Sequence, residues 1–162
     1  MTETLYRDVI DSPVGLLTLV ASAAGLRELV WSHDDDLPRR RDPAGVLDAT
    51  ARELDEYFAS ERTEFEVPLD PVGTPFQLAA WMALRSIPYG QTVSYGDQAR
   101  RLGDVRKSRA VGAANGKNPI SIIVPCHRVI GSDGSLVGFG GGLSTKAWLL
   151  DHERSRMQPR LL

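Results

Sequence analysis

Short runs of alternating apolar and polar residues occupy the first third of the chain. Residues 5–10, 15–21 and 26–31 show the period of two that is typical of half-buried β-strands, and turn signals separate one run from the next. Strands joined by such short connections pair as an antiparallel meander. Residues 65–69 carry the pattern of a further edge strand, so the chain is predicted to begin with a small antiparallel sheet.

A helical period follows these strands. Asp42 and Pro43 have the pattern of an N-cap followed by a first-turn proline, and apolar residues recur at helical spacing through about Ala59. Residues 33–42, which contain a run of Asp and a run of Arg, are typical of a charged surface loop. One amphipathic helix is therefore predicted after the loop.

The second half of the chain is predicted to be mainly helical. Residues 74–77 form a capping-box pattern that opens one helix, and Ser94 opens a second short helix, with Asp97 at its third position. A third helix spans about 105–114, and Asn115-Gly116 is expected to break it. Two short helices joined by a tight turn with glycine, the second of them carrying basic residues, have the pattern of a helix-turn-helix. After a glycine-rich loop, Ser144 or Thr145 is predicted to cap a final helix.

Acidic and basic residues are divided between the two halves of the chain. The net charge is −2, but residues 1–73 carry 7 Lys or Arg against 16 Asp or Glu, whereas residues 74–162 carry 12 against 5. Residues 70–73, Asp-Pro-Val-Gly, lie at this change and predict a boundary between an N-terminal α/β domain and a C-terminal domain. The basic half suggests an anionic partner such as nucleic acid, although solvated helix faces would give the same pattern.

Composition narrows the class of protein. The chain has 162 residues, of which 42% are hydrophobic and 25% charged, which is enough for a real core in one or two domains. The single cysteine excludes an internal disulfide framework and fits a reducing compartment, so a cytoplasmic protein is expected. No spacing of Cys and His is typical of a zinc site, and neither a leader peptide nor a membrane span is expected.

The strongest chemical signal surrounds the only cysteine. Residues 120–124 are apolar and rich in β-branched side chains, so they are predicted to form a short buried strand that Pro125 ends. Cys126 follows at this point, and a thiol becomes a good nucleophile only near a base or a positive charge, which His127 and Arg128 offer. Neighbours on a strand point to opposite faces, so His127 can activate the thiol only if the backbone turns or a water bridges the two. The alternative is that Cys126 is a small buried hydrophobe.

The stretch from Pro125 to Gly131, Pro-Cys-His-Arg-Val-Ile-Gly, resembles the methylated-DNA–protein-cysteine methyltransferases, the 6-O-alkylguanine-DNA alkyltransferase family. The resemblance spans nearly all of residues 74–153. Further motifs stand in the family's order: Phe76-Gln77 with Trp81, Ile87-Pro88-Tyr89-Gly90, Ser94-Tyr95-Gly96, Arg109-Ala110-Val111-Gly112, Asn115-Gly116, Asn118-Pro119-Ile120 and Gly138-Phe139-Gly140-Gly141-Gly142. The resemblance implies an α+β fold, with an RNase H-like small antiparallel sheet and helix followed by a mainly helical, winged-helix-like domain that contains the helix-turn-helix.

The same resemblance implies direct-reversal DNA repair without a cofactor. Cys126 would accept the alkyl group of 6-O-alkylguanine, and less well that of 4-O-alkylthymine, once and irreversibly. His127 would act as the base through a water, and Glu153 would orient its imidazole. Asn118 would brace the turn that carries the cysteine.

Double-stranded DNA is the implied partner, bound through its minor groove by a monomer that could cluster with others along the DNA. Arg109 would enter the duplex where the damaged nucleotide is flipped out, and Tyr95 would donate a hydrogen bond to that base. The main chain of Cys126, Val129 and Gly140 would contact the edges of the guanine. The resemblance also places four further residues at the substrate or the DNA: Ser94, Arg128, Phe139 and Lys146.

Two positions depart from a common pattern of the family. Phe139 stands where many members have tyrosine, so a hydroxyl is missing while an aromatic face remains. Gly140 stands where some members have serine, so one wall of the site is smaller. Both changes bear on which alkyl groups are accepted.

Other functions remain compatible with parts of the sequence. A non-catalytic, lesion-binding relative would carry another residue in place of Cys126. A helix-turn-helix regulator would need no thiol, and a Cys-His-Glu hydrolase would turn over through an acyl intermediate. Neither of the last two explains Tyr95, Arg109 and the glycine-rich loop together, so the alkyltransferase is the preferred interpretation.

Overall fold

The computed structural model describes residues 3–31, 42–136 and 138–157. The chain divides into two compact units, Met1–Val72 and Gly73–Leu162. Most of the predicted charged loop, residues 33–41, lies outside the described residues. Within the described residues, no helix is long and apolar enough to cross a membrane.

The first unit is built on the predicted meander. Its elements are β1 (Tyr6–Ile10), β2 (Leu17–Ala21), β3 (Leu26–Val30) and α1 (Val46–Phe58). The strands pair antiparallel in the order β1-β2-β3, with Tyr6 opposite Ala21 and Leu19 opposite Leu29. The central strand is almost entirely buried, which confirms the small antiparallel sheet.

The predicted edge strand at residues 65–69 is wrong. Only Leu69 forms a bridge, a single parallel one with Leu26. The backbone N–H of Glu66 instead donates to the side chain of Glu53 at 2.8 Å, and Pro68 has no N–H to offer a ladder. A buried carboxylate on α1 therefore satisfies part of the backbone that a neighbouring strand would have paired.

The start of α1 also differs from the prediction. The helix begins at Val46 after Gly45, which adopts a left-handed conformation with φ of 76°, so Pro43 lies outside the helix. Asp42 still satisfies the helix terminus, because its carboxylate accepts the N–H groups of Val46 and Leu47 at 2.7 and 3.0 Å. The acidic side chain thus caps the helix from further upstream than an N-cap residue would.

The second unit is mainly helical, as predicted. Its elements are α2 (Pro75–Leu84), β4 (Val93–Ser94), α3 (Tyr95–Arg101), a 3-10 turn (Val105–Lys107), α4 (Ser108–Gly116), a second 3-10 turn (Cys126–Arg128), β5 (Val129–Ile130) and α5 (Leu143–Met157). The capping boxes at Thr74 and Ser94 are confirmed. The pair α3 and α4 forms the predicted helix-turn-helix.

Two helix boundaries in this unit correct the predictions. The helix predicted for residues 105–114 begins as a 3-10 turn and continues through Asn115 and Gly116, which were expected to break it. The final helix begins at Leu143, so Ser144 and Thr145 lie in its first turn and do not cap it. A left-handed Gly142 with φ of 92° precedes the helix and lets the chain enter it directly.

A short parallel ribbon fixes the centre of this unit. The two residues of β4 pair with those of β5, Val93 opposite Val129 and Ser94 opposite Ile130. This pairing joins the start of α3 to the segment that follows the cysteine. A hydrogen bond also links α2 to α4, because the indole N–H of Trp81 donates to the carbonyl of Ala114 at 2.8 Å.

Candidate active site

The segment before the cysteine is buried as predicted, but it is a set of tight turns and not a strand. The N–H of Val124 donates to the carbonyl of Ile120 at 3.0 Å, and that of Ile123 to Ser121 at 2.8 Å. Ile122 adopts a positive φ of 72°, which is a rare conformation for a β-branched residue. The β-branched, apolar composition of residues 120–124 therefore predicted their burial correctly, but the prediction of a strand is wrong.

Asn118 explains why this segment turns. Its side-chain carbonyl accepts the N–H of Ile120 at 3.0 Å, and its amide donates to the carbonyl of Val124 at 2.8 Å. One side chain thus satisfies backbone groups at both ends of the turn, which a strand partner would otherwise have to supply. The structure therefore places Asn118 as a brace of the segment that leads to the cysteine.

Cys126 opens a 3-10 turn directly after Pro125. The N–H of Arg128 donates to the carbonyl of Pro125 at 3.0 Å, which closes the turn. The backbone therefore turns where the sequence required it, so Cys126 and His127 are no longer constrained to opposite faces of a strand. Cys126 is 8% exposed and borders a pocket.

His127, Arg128 and Glu153 form one buried cluster. The imidazole Nε2 of His127 lies 2.7 Å from Oε2 of Glu153 on α5. Arg128 donates to the same carboxylate from Nε at 2.8 Å and from Nη2 at 3.1 Å, and its Nη1 donates to the carbonyl of Ile87 at 2.7 Å. The arginine that follows the cysteine motif therefore holds Glu153 and does not stand as the free positive charge that the sequence suggested for the thiol.

The electrostatics of this cluster fix its protonation. Burial alone would raise the pKa of Glu153, but the hydrogen bonds from His127 and Arg128 and the positive charge of Arg128 outweigh it and hold the pKa well below its usual range. Burial lowers the pKa of His127 below its ordinary value of 6.5, against the opposing effect of Glu153. At neutral pH the imidazole is thus uncharged beside an ionised carboxylate. Nε2 then carries the proton and donates a hydrogen bond to the carboxylate of Glu153, which leaves Nδ1 as the basic nitrogen.

The surroundings of the thiol have opposing effects on the pKa of Cys126. Burial raises the pKa of Cys126, while a hydrogen bond from Asn118 and the positive charge of Lys146 lower it to a smaller extent. Lys146 is fully buried and its ammonium donates to the carbonyl of Val129 at 2.7 Å. The cation near the thiol therefore comes from α5, and the resting cysteine is a neutral thiol that needs a base.

A pocket of about 290 Å³ opens beside Cys126. Three residues that were predicted to contact the substrate line it: Tyr95 from the start of α3, and Phe139 and Gly140 from the glycine-rich loop. Burial, and to a lesser extent Cys126, raises the pKa of Tyr95, so its phenol stays protonated and can act as a hydrogen-bond donor. The pocket therefore places an aromatic hydroxyl and a thiol around one cavity.

The remaining predicted site residues are not among those that line the pocket. Ser94 caps α3, Arg128 is bound to Glu153, and Lys146 contacts the main chain of Val129 behind the cysteine. The carbonyl of Val129 accepts from this lysine and the N–H of Val129 donates to the carbonyl of Cys126, so both polar main-chain groups of Val129 already have a partner within the protein. Arg109 is exposed on α4.

Sequence reasoning missed the wall of the pocket that α4 provides. Gly112, Asn115 and Gly116 line the cavity, and their spacing of three and four residues places them on one face of the helix. The signal was present, because two glycines four apart in a helix leave space on that face. It was missed because Asn115 and Gly116 were interpreted as a helix end.

Both units match known protein families. Residues 5–71 match the family described as 6-O-methylguanine DNA methyltransferase, ribonuclease-like domain. Residues 75–155 match the family described as 6-O-methylguanine DNA methyltransferase, DNA binding domain. The two matches together cover most of the chain.

Similar proteins come from bacteria and archaea. A methylated-DNA–protein-cysteine methyltransferase of Mycobacterium tuberculosis is 50% identical over 155 residues, which are 93% of each chain. One from Methanosarcina acetivorans is 40% identical over 164 residues, covering 93% of this chain and 99% of the relative. The crystal structure of Mycobacterium tuberculosis OGT in complex with DNA superimposes with a TM-score of 0.85 at 48% identity, covering 93% of this chain and 94% of that one.

Proposed function

The chain belongs to the methylated-DNA–protein-cysteine methyltransferase family, and from this premise we propose that it repairs alkylated DNA by moving the alkyl group of 6-O-alkylguanine onto Cys126. One observation carries this proposal. The only cysteine borders a pocket, and the next residue in the chain, His127, is buried and paired with Glu153. A neutral thiol with a neighbouring uncharged imidazole is the resting state that base-assisted nucleophilic attack requires.

We propose that His127 activates the thiol through a water. Its Nδ1 is buried and has no hydrogen-bond partner among the described residues, so it can accept a proton that a water relays from Cys126. Glu153 stays ionised and stabilises the imidazolium that forms, while Arg128 keeps the carboxylate in place. Lys146 would stabilise the thiolate by its charge.

In the transfer step, the sulfur of Cys126 attacks the alkyl carbon and the carbon–oxygen bond to guanine breaks. The electron pair of that bond goes to the base, and the proton that the thiol gave up balances the one that guanine acquires. The hydroxyl of Tyr95, protonated at neutral pH, would donate to the leaving base and offset the charge that it gains. The product is a thioether, which no residue of this site can reverse, so each molecule would act once.

Access to the base requires that the nucleotide leaves the duplex. We propose that α4 lies in the minor groove and that the exposed Arg109 occupies the gap left by the flipped nucleotide. The match to a DNA binding domain and the DNA complex of the similar mycobacterial protein support DNA as the partner. We also propose that the protein acts as a monomer and that its divided charge favours clustering along DNA. A reducing, cytoplasmic setting would keep its thiol free.

We propose that guanine lesions are preferred, with 4-O-alkylthymine as a poorer substrate, and that alkyl groups larger than methyl are accepted. Phe139 offers an aromatic face to the base without a hydroxyl, and a side chain added at Gly140 would meet no atom within 4 Å. The volume of about 290 Å³ of the pocket that Cys126 borders supports the acceptance of such larger groups.

Intact mass tests the proposed function. The protein is incubated with a duplex that bears one 6-O-methylguanine, beside a Cys126→Ser variant, which keeps the size of the side chain and removes the thiol. We expect the wild type to gain the mass of one methylene unit at one equivalent per protein, and the variant to gain none. Tight binding of the duplex without a mass gain would instead identify a lesion-recognition protein.

A further inference from the structure

Two buried amides clamp each other inside the helix-turn-helix. Gln98 on α3 donates from Nε2 to Oδ1 of Asn115 on α4 at 3.0 Å, and Asn115 donates from Nδ2 to Oε1 of Gln98 at 2.8 Å. Gln98 is 1% exposed and Asn115 is 8% exposed. A reciprocal pair of this kind fixes the orientation of both amides, because exchanging O and N in either one would break both bonds.

The two amides differ in how many of their N–H groups have a hydrogen-bond acceptor. A primary amide has two N–H groups, and Gln98 also donates to the carbonyl of Ala80 at 3.3 Å. Asn115 donates only to Gln98 within the described part of the chain. One N–H of Asn115 is therefore uncommitted, although the side chain is almost fully buried.

Asn115 lines the same pocket as Cys126. Gly112 and Gly116 stand on its face of α4, so no neighbouring side chain from these two positions covers the amide. Apart from Asn115, the cavity is bordered by glycines, two aromatic rings and the thiol. The lining thus contributes two side-chain donors of ordinary hydrogen-bond strength, the amide of Asn115 and the hydroxyl of Tyr95, and the hydroxyl is the one assigned above to the leaving base.

We propose that Asn115 is a specificity-determining residue that favours alkyl groups carrying an oxygen, such as 2-hydroxyethyl or carboxymethyl, over hydrocarbon groups of the same size. The inference rests on the proposed alkyl transfer and deepens it by naming the class of lesion. A buried donor gains a hydrogen bond from an oxygen-bearing group, and it stays unpaired when a hydrocarbon chain fills the cavity. Gln98 acts as a positioning residue, because it holds the donor in one orientation.

Matched lesions test this inference. Single-turnover rates are measured on duplexes that bear 6-O-(2-hydroxyethyl)guanine or 6-O-propylguanine, which have the same number of heavy atoms, with 6-O-methylguanine as the reference. The ratio of the first two rates is compared between the wild type and the double variant Gln98→Leu/Asn115→Leu. We expect this ratio to fall about 3- to 10-fold in the variant, as the net contribution of one neutral hydrogen bond implies.

The double substitution is chosen because it removes both amides of the reciprocal pair together, so that neither is left buried without the other, and only the longer bond from Gln98 to the carbonyl of Ala80 is lost besides. Asn115→Asp provides a second test without apolar repacking, since it keeps the size of the side chain and replaces the donor by an acceptor. The rate ratio should fall in this variant as well.

The outcomes separate the two proposals. A rate ratio that is unchanged in both variants, while methyl transfer still occurs, would overturn the role of Asn115 and leave the alkyl transfer intact. Failure of the wild type to accept any of the three groups would overturn the alkyl transfer itself, and the inference with it.

Discussion

The imidazole of His127 lies 2.7 Å from the carboxylate of Glu153, and both side chains are buried. This contact joins the turn that carries the cysteine to α5, which lies further along the chain. Arg128 binds the same carboxylate, so the carboxylate of Glu153 both orients the imidazole of His127 and holds two elements together. Chemistry and stability should therefore depend on the same residue.

Replacing Glu153 by Gln should weaken both properties. The change leaves the guanidinium of Arg128 buried without its counter-ion, and breaking such a pair costs about 3–5 kcal/mol of unfolding free energy. We also expect slower alkyl transfer, because the imidazolium loses its stabilising charge. Denaturant unfolding and single-turnover rates measure the two effects.

The chain contains a matched control for this substitution. Glu56 pairs with Arg62 at 3.2 Å, and the two side chains are 35% and 20% exposed. Solvent screens such a pair, so Glu56→Gln should cost about 0–1 kcal/mol and leave the transfer rate unchanged. Equal losses of stability in the two variants would contradict the view that the His127–Glu153–Arg128 cluster is a buried ionic brace.

The rate of transfer should persist in mildly acidic solution. The base must be uncharged to accept a proton, and burial lowers the pKa of His127 below its ordinary value of 6.5. The rate should thus fall only as pH drops through this lowered pKa. The pH profile is measured in single turnover at saturating DNA, and a half-maximal rate at or above pH 6.5 would contradict the prediction.

The contribution of Glu153 to stability should also depend on pH. Its pKa in the folded protein lies well below the ordinary value of 4.5, so its stabilising effect is fully present above pH 4.5 and is lost as pH falls through the folded pKa. The difference in unfolding free energy between the wild type and Glu153→Gln should accordingly shrink below pH 4.5. A difference that stays constant down to pH 3 would show that the lost stability does not come from the ionised carboxylate.

Elements with a regular hydrophobic period or a local capping pattern could be predicted from the sequence. The prediction failed where a side chain, and not a neighbouring strand, satisfies the hydrogen bonds of the backbone. The meander and both capping boxes follow from local patterns, and the structure confirms them. Residues 120–124 form turns because the side chain of Asn118 satisfies their backbone, which no local periodicity records. Tertiary contact overrides β-propensity in this segment.

The same limit applies to the electrostatics of the candidate site. Arg128 follows Cys126 closely in sequence, yet its charge is directed to Glu153. The cation that acts on the thiol is Lys146, twenty residues further on. A charge on a distant helix can be placed beside a thiol only by the fold, so residue types indicated the chemistry while the pairing of charges needed the structure.

Asn118→Ala should release the turn before the cysteine. The change leaves the buried N–H of Ile120 and the carbonyl of Val124 without their partner, which should cost about 2–4 kcal/mol of unfolding free energy. It also removes the hydrogen bond that lowers the pKa of Cys126, so transfer should be slower. Asn118→Asp keeps the acceptor for Ile120 and should recover part of the stability. A fully stable Asn118→Ala protein would show that the turn needs no brace.

Arg109→Ala should separate DNA entry from chemistry. Arg109 is exposed on α4, so its loss should leave the unfolding free energy unchanged. If the guanidinium fills the gap of a flipped nucleotide, transfer from duplex DNA should slow about tenfold, corresponding to about 1.4 kcal/mol of the unstacking cost. Transfer from the free base 6-O-benzylguanine, which needs no flipping, should keep its rate. Arg101→Ala, an exposed arginine on α3, is the control for loss of one positive charge. An equal slowing of both substrates by Arg109→Ala would place Arg109 in the chemical step and contradict a role in extruding the base.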